Sequence, residues 1–359
     1  MHFGILMPPK IDDYGVVAHA ESLGYDSAWL ADSQMIWSDC YAVLALAAKE
    51  TSRIRLGTGV AIAGTRIAPV TAHSIASINQ LAPGRTFLGI GTGHTAMRVM
   101  GMDPMPIKAF RDYLRVVRSL LDGDEVEYTL NGVTRTICLL HQDLGFFNLA
   151  DRIPIYVAAN GPLALRTAGE FADGLMSIFN EQAPVLAQNQ RLVQEGAAAV
   201  GRNLPADYLM ATVTAAIPLA AGEAVNSARV IDEAGPWAAC ALHFVYEVYQ
   251  KSGDEAAVPP AFKGVFEAYC AHVATMKTPE HKRYLEIHNG HGTFIVPQER
   301  QFMTPEVLHG CCLIGEPDEL IEKLRIAERG GLRKVNIVPP TAGARKVMDD
   351  FARDVIKHY

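Results

Sequence analysis

Two stretches of this chain begin as apolar strands and end in bare backbone: Ile54-Arg55-Leu56-Gly57-Thr58-Gly59-Val60-Ala61-Ile62 and Thr86-Phe87-Leu88-Gly89-Ile90-Gly91-Thr92-Gly93-His94. Glycine inside a strand forfeits packing and entropy, so it marks a bulge or a place where another group approaches the main chain. Two neighbours of this kind predict a flat ligand lying across them. A third segment, Ala158-Ala159-Asn160-Gly161-Pro162, puts small residues before a proline suited to a first helical turn, the pattern of a phosphate cradle at a helix N-terminus. An ordinary strand-to-helix turn capped by Asn160 would use the same letters.

The polar residues beside these segments are few. Asp32 ends the run Tyr25-Asp26-Ser27-Ala28-Trp29-Leu30-Ala31, and a carboxylate there is costly unless it is solvated, paired or used. His94 can donate to a ring atom or carry a proton near neutral pH, or can simply open a loop. His288-Asn289-Gly290-His291 is expected to line a substrate pocket. It is not expected to bind metal, because the intervening glycine breaks helical spacing and no neighbouring carboxylate or cysteine completes a ligand set. Serine-hydrolase and P-loop signatures are absent. The six cysteines lack a C-x-x-C pair and read as reduced, buried small residues.

The elements that must position these residues repeat one grammar: a helical run, a glycine turn, then a short apolar strand, as in Ala20–Leu30, Asn79–Leu88, Ala168–Ser177 and Ala327–Val338. Strands are expected near 2–7, 26–31, 54–62, 86–91, 154–159, 174–178, 209–218 and 334–338. Eight parallel strands favour an α/β (β/α)8 TIM barrel, whose chemistry sits at the C-terminal strand ends. No dinucleotide fingerprint follows the first strand. The chain is read as one domain over 1–359. A hairpin decoration at 123–150 is marked by Asn131-Gly132. A long insertion after strand 7, at 220–312, carries Trp237, His243, Tyr246, Tyr269, His272, His288 and His291 and is expected to form a pocket wall or lid.

Composition narrows the partners. The chain has 359 residues, 49% of them hydrophobic, and a formal charge of −7. That balance offers no electrostatic footprint for nucleic acid or an anionic membrane. The N-terminal apolar run is short, lacks a basic flank and reads as a first strand, so a cytoplasmic protein acting on a small molecule is expected.

Taken jointly, Gly24-Tyr25-Asp26-Ser27-Ala28-Trp29-Leu30-Ala31-Asp32, Thr51–Val60, Leu81-Ala82-Pro83-Gly84-Arg85, Leu88–Gly93 and Ala158–Pro162 resemble the bacterial luciferase-like monooxygenase superfamily, and within it the methylenetetrahydromethanopterin-reductase-like branch. The resemblance implies a flavin- or F420-dependent oxidoreductase. A non-proline cis peptide would fall at Gly59–Val60 behind the ring, Gly91–Gly93 would flank it, and Ala158, Ala159, Asn160, Gly161 and Pro162 would hold cofactor phosphate. The branch commonly has Asp-His where this chain has Asp32-Ser33, so Asp32, His94 and His291 are the expected catalytic groups, with His288 and His291 in the substrate pocket. The missing histidine and the aromatic insertion favour reduced FMN and a two-component monooxygenase with a separate flavin reductase. The alternative is F420 with hydride transfer. A flavin-binding barrel without turnover and a metal hydrolase using His288 and His291 stand behind both. Resembling proteins are homodimers or homotetramers.

Overall fold

The computed structural model describes residues 1–179 and 183–359. Its strands are β1 (His2–Met7), β2 (Ser27–Leu30), β3 (Arg55–Thr58), β4 (Ala61–Ile62), β5 (Thr86–Gly91), β6 (Val126–Leu130), β7 (Val133–Ile137), β8 (Ile155–Ala158), β9 (Gly174–Ile178), β10 (Leu209–Pro218), β11 (Cys312–Gly315) and β12 (Lys334–Ile337). Its helices are α1 (Gly15–Ser22), α2 (Cys40–Glu50), α3 (Ala68–Leu81), α4 (His94–Arg98), α5 (Ile107–Leu121), α6 (Pro162–Phe171), α7 (Ala183–Ala199), α8 (Ala228–Ser252), α9 (Lys263–Ala274), α10 (Tyr284–Ile287), α11 (Pro305–Cys311), α12 (Pro317–Arg329) and α13 (Ala344–Asp354). The chain divides into two compact units, Met1–Thr212 with Ile326–Asn336, and Val213–Arg325 with Ile337–Tyr359.

Eight strands form a closed parallel barrel, β1-β2-β3-β5-β8-β9-β10-β12, with β4 continuing β3 alongside β5, and the division between the units falls within β10, after Thr212. Closure is visible in single hydrogen bonds: Leu209 N donates to Asp173 O at 3.1 Å, Arg333 N to Met210 O at 2.9 Å, and His2 N to Arg333 O at 2.8 Å. Each of the eight expected strands is present. Trp29, Phe87 and Tyr156 fill the interior, with the Trp29 and Phe87 rings 4.3 Å apart. The long apolar strands are buried on both faces, as a helix-wrapped parallel sheet requires.

That packing revises the expected reason for several glycines. A Cβ on Gly57 would lie 2.3 Å from the Phe87 ring, one on Gly59 2.6 Å from Trp29 Cβ, and one on Gly89 2.2 Å from the Thr58 carbonyl. These three are glycine because the barrel interior is full.

The β6–β7 hairpin is antiparallel, and its turn residues Asn131 and Gly132 both take positive φ (52° and 78°), as a type I′ turn demands. The second unit has its own apolar core, in which Leu242 of α8, Tyr269 of α9, Phe302 and Val307 of α11 are buried. The Ser227 hydroxyl caps α8 by accepting from Val230 N, and Gly253, at φ 63°, ends it. β11 was absent from the sequence expectation. It extends the sheet by pairing Cys312–Gly315 with the last residues of β10, Ala215–Pro218. No helix among the described residues is long and apolar enough to cross a membrane.

Candidate active site

The strand between Arg55 and Ile62 breaks at Gly59–Val60, whose peptide bond is cis. Gly59 N donates to Leu30 O at 2.7 Å, and the buried Thr58 hydroxyl donates to Gly89 O at 2.6 Å. The break is thus stitched to β2 on one side and β5 on the other. A Cβ built on Gly91 would sit 3.2 Å from Val60 Cγ2 and 3.5 Å from Ala158 Cβ. Residues from three strand ends, distant in sequence, therefore converge on one small-residue surface. Gly93, at φ +89°, turns the chain into α4, where a Cβ would strike Ile62. His94 is the first residue of α4 and is half-buried.

Asp32 lies 4% exposed where β2 ends. Its Oδ2 accepts from Arg66 Nη1 at 2.5 Å and Ile62 N at 3.3 Å, and its Oδ1 accepts from Gln34 Nε2 at 2.7 Å. Burial pushes its carboxyl above the usual range, against the pull of the Arg66 guanidinium and a hydrogen bond from Cys40. The same burial, with Asp32 nearby, pushes the Cys40 thiol far up, so that thiol is inert as a nucleophile. Arg66 also reaches Asp39 at 3.0 Å, and its guanidinium lies 4.9 Å from the centre of the Tyr41 ring. The Tyr113 hydroxyl donates to Arg66 O at 2.9 Å, and burial raises it to about 12. Asp32 is therefore saturated by its own chain: it joins β2 to β4 and holds the loop carrying Arg66.

At the other side of this surface Asn160 does not cap α6. Its Oδ1 accepts from Ile178 N at 2.9 Å and ties the β8 loop to β9. Gly161 occupies the N-cap position, exposed and with no side-chain cap bond, and a Cβ there would meet nothing within 4 Å. With Pro162 at the first helical position, the opening turn of α6 presents amides that no side chain among the described residues is seen to answer.

Sequence reasoning missed Arg66, Gln34 and Cys40. The signal for Arg66 was available: a buried aspartate demands a counter-ion, and Arg66 is the one charged residue of the Ala61–Val70 stretch. His288 and His291 belong to the second unit, where they meet His243. A cavity of about 1010 Å³ in the first unit opens at the opposite end of the barrel among strand starts, including Asp26, Arg55, Tyr156 and Lys334. Lys334 is engaged there with Asp26 at 2.8 Å and Ser27 at 2.9 Å. Barrel chemistry belongs to the other end, so cavity size does not locate the site.

A family model described as luciferase-like monooxygenase matches residues 12–334. The chain belongs to the luciferase-like monooxygenase family. Among curated relatives, the 5,10-methylenetetrahydromethanopterin reductase of Methanolobus tindarius is 36% identical over 182 residues, covering 49% of this chain and 53% of that protein. The F420-dependent glucose-6-phosphate dehydrogenase of Kineococcus radiotolerans is 33% identical over 209 residues, covering 54% of this chain and 60% of that one. Both alignments span less than two thirds of the relative's own length. The coenzyme F420-dependent tetrahydromethanopterin reductase from Methanopyrus kandleri superposes with a TM-score of 0.69 at 22% identity, over 100% of this chain and 99% of that structure. At that identity the likeness shows the barrel fold alone.

Proposed function

We propose that the chain is an F420-dependent oxidoreductase that transfers hydride to or from a small organic substrate at the C-terminal rim of the barrel. The observation that carries this reading is the convergence of Val60, Gly91 and Ala158 on one small-residue surface beside an uncapped α6 N-terminus. The arrangement fits a planar ring with a phosphate-bearing tail, since side chains are withheld where the ring would lie and amides are offered where an anion would end. The names of the curated relatives favour F420 over FMN. When bound, the deazaflavin supplies two-electron hydride chemistry.

The residues of the chain would do the rest. Val60 and the Gly59–Val60 break would back the ring, Gly91, Thr92 and Gly93 would border it, and Ala158–Pro162 would hold the phosphate. Asp32 would act as a positioning residue that fixes the break through Ile62 N, while His94, at the start of α4, would carry the proton at the substrate edge. A second reading, reduced FMN with oxygen, is favoured by the monooxygenase description of the matching family model.

Anaerobic titration of the purified protein with F420 and with oxidised and reduced FMN, followed by absorbance and fluorescence, decides between them. Saturable F420 binding with no oxygen uptake is the expected result. Tight reduced-FMN binding with FMN-dependent oxygen consumption would replace hydride transfer with monooxygenation.

A further inference from the structure

The second unit packs three histidines against one another, two of them buried and His291 half-buried. His243 of α8 is 1% exposed and His288 is 7% exposed, and one ring nitrogen from each of His243, His288 and His291 lies within 4.8 Å of the other two. The spacing that sequence alone could not complete is supplied by folding. Gly290 (φ 79°) and Gly292 (φ 60°) curl the segment after α10 so that His291 N donates to His288 O at 3.1 Å. Gly292 N then donates to Cys240 Sγ at 3.1 Å, fastening that curl to α8 one turn before His243.

The hydrogen bonds around the rings have a definite polarity. His243 Nε2 is bonded to Glu299 at 2.8 Å, and His288 Nε2 to Glu247 at 2.8 Å. A carboxylate on Nε2 selects the tautomer with the proton there and leaves Nδ1 as a bare lone pair. His243 Nδ1 is buried and has no hydrogen-bond partner among the described residues. His288 Nδ1 and His291 Nδ1 are within hydrogen-bond distance of each other, at 3.4 Å. Two nitrogens bound to one tetrahedral zinc ion at about 2.0–2.1 Å stand about 3.3 Å apart. Glu299 is itself only 2% exposed, and a carboxylate that deep in an apolar core is costly unless its charge is balanced.

We infer that His243, His288 and His291 form a binding site for a first-row divalent cation of the zinc class, ligated through three imidazole nitrogens, with Glu299 and Glu247 orienting two of the rings and a fourth position open to water. Imidazole donors select zinc, cobalt, nickel or copper over calcium and magnesium. The ion clasps the 288–294 segment to α8. The site does not depend on the flavin reading of the barrel, and either can fail alone.

The test uses the untagged full chain, stripped with a chelator and titrated with zinc chloride by calorimetry, and with cobalt chloride by visible absorption. One zinc per chain is expected, with a rise in melting temperature and the d–d bands of low-symmetry four- or five-coordinate cobalt. Glu299→Gln keeps the side-chain shape and should weaken zinc binding about 10- to 100-fold. His291→Ala, checked for folding by circular dichroism, should abolish the cobalt bands. Absence of one-to-one uptake by the folded wild type, or uptake that both variants leave unchanged, overturns the site.

Discussion

Asp32 in the first unit and His243 in the second are both polar side chains sealed from solvent, 4% and 1% exposed, yet they stand in opposite conditions. Both oxygens of Asp32 are answered by Arg66, Ile62 N and Gln34. His243 has one nitrogen answered by Glu299 and the other left without a partner. The difference teaches how to sort buried polar groups. A group fully satisfied by its own chain holds architecture in place, and a group with an unanswered atom waits for something the chain does not supply.

The sharpest way to break the comparison is to remove Asp32 or its partner. Asp32→Ala leaves Arg66 facing only Asp39, and loss of one member of a buried pair costs about 3 kcal/mol, at the low end of the usual range because Arg66 is partly exposed. Urea unfolding should show that loss. If stability is unchanged while turnover collapses, Asp32 is chemical and the sorting rule fails for it.

Arg66→Met sharpens the same point through pH. Burial already raises the Asp32 carboxyl above its unfolded value, so folding favours the protonated form. That preference adds stability below the unfolded carboxylate range, about pH 4, and is lost as pH rises through the folded value. Without Arg66 the folded value climbs further, so the urea midpoint of the variant should fall relative to wild type as pH rises from about 4 toward neutrality. A pH-independent difference would contradict the pairing.

A middle-sized effect separates the two kinds of glycine. Gly57→Ala drives a methyl into the Phe87 ring and should destabilise by about 1–3 kcal/mol. Thr58→Val removes the side-chain bond to Gly89 O, at about 1 kcal/mol. Thermal melts measure both. The smallest expected effect on folding is at Gly161, where nothing lies within 4 Å. Gly161→Asp should leave the melt unchanged or raise it slightly, because aspartate is a good N-cap.

These contrasts also mark what was legible in the sequence. The barrel was, because each α-turn-β unit is written in local letters: helix, glycine, apolar strand. That Val60, Gly91 and Ala158 come together was legible as well, since strand ends of one barrel must share a rim. The crowding around Gly57 and Gly89 was not, because it depends on where Trp29 and Phe87 point. Arg66 was passed over since its partner lies across a strand and a loop. The histidine cluster was unreadable from His288 and His291 alone: the third ring comes from α8, and Glu247 and Glu299 take part only after the chain folds back.

The central claim, that the strand-end surface and the α6 N-terminus hold a phosphate-bearing flavin-type cofactor, is tested most directly by measuring F420 affinity in parallel for the wild type and Gly161→Asp. Saturable binding by the wild type and at least about tenfold weaker binding by the variant, with no loss of melting temperature, are expected, since a carboxylate at a helix N-terminus competes with a phosphate for the same amides. Equal affinity in both proteins, or no binding of F420 or FMN by the folded wild type, would contradict it.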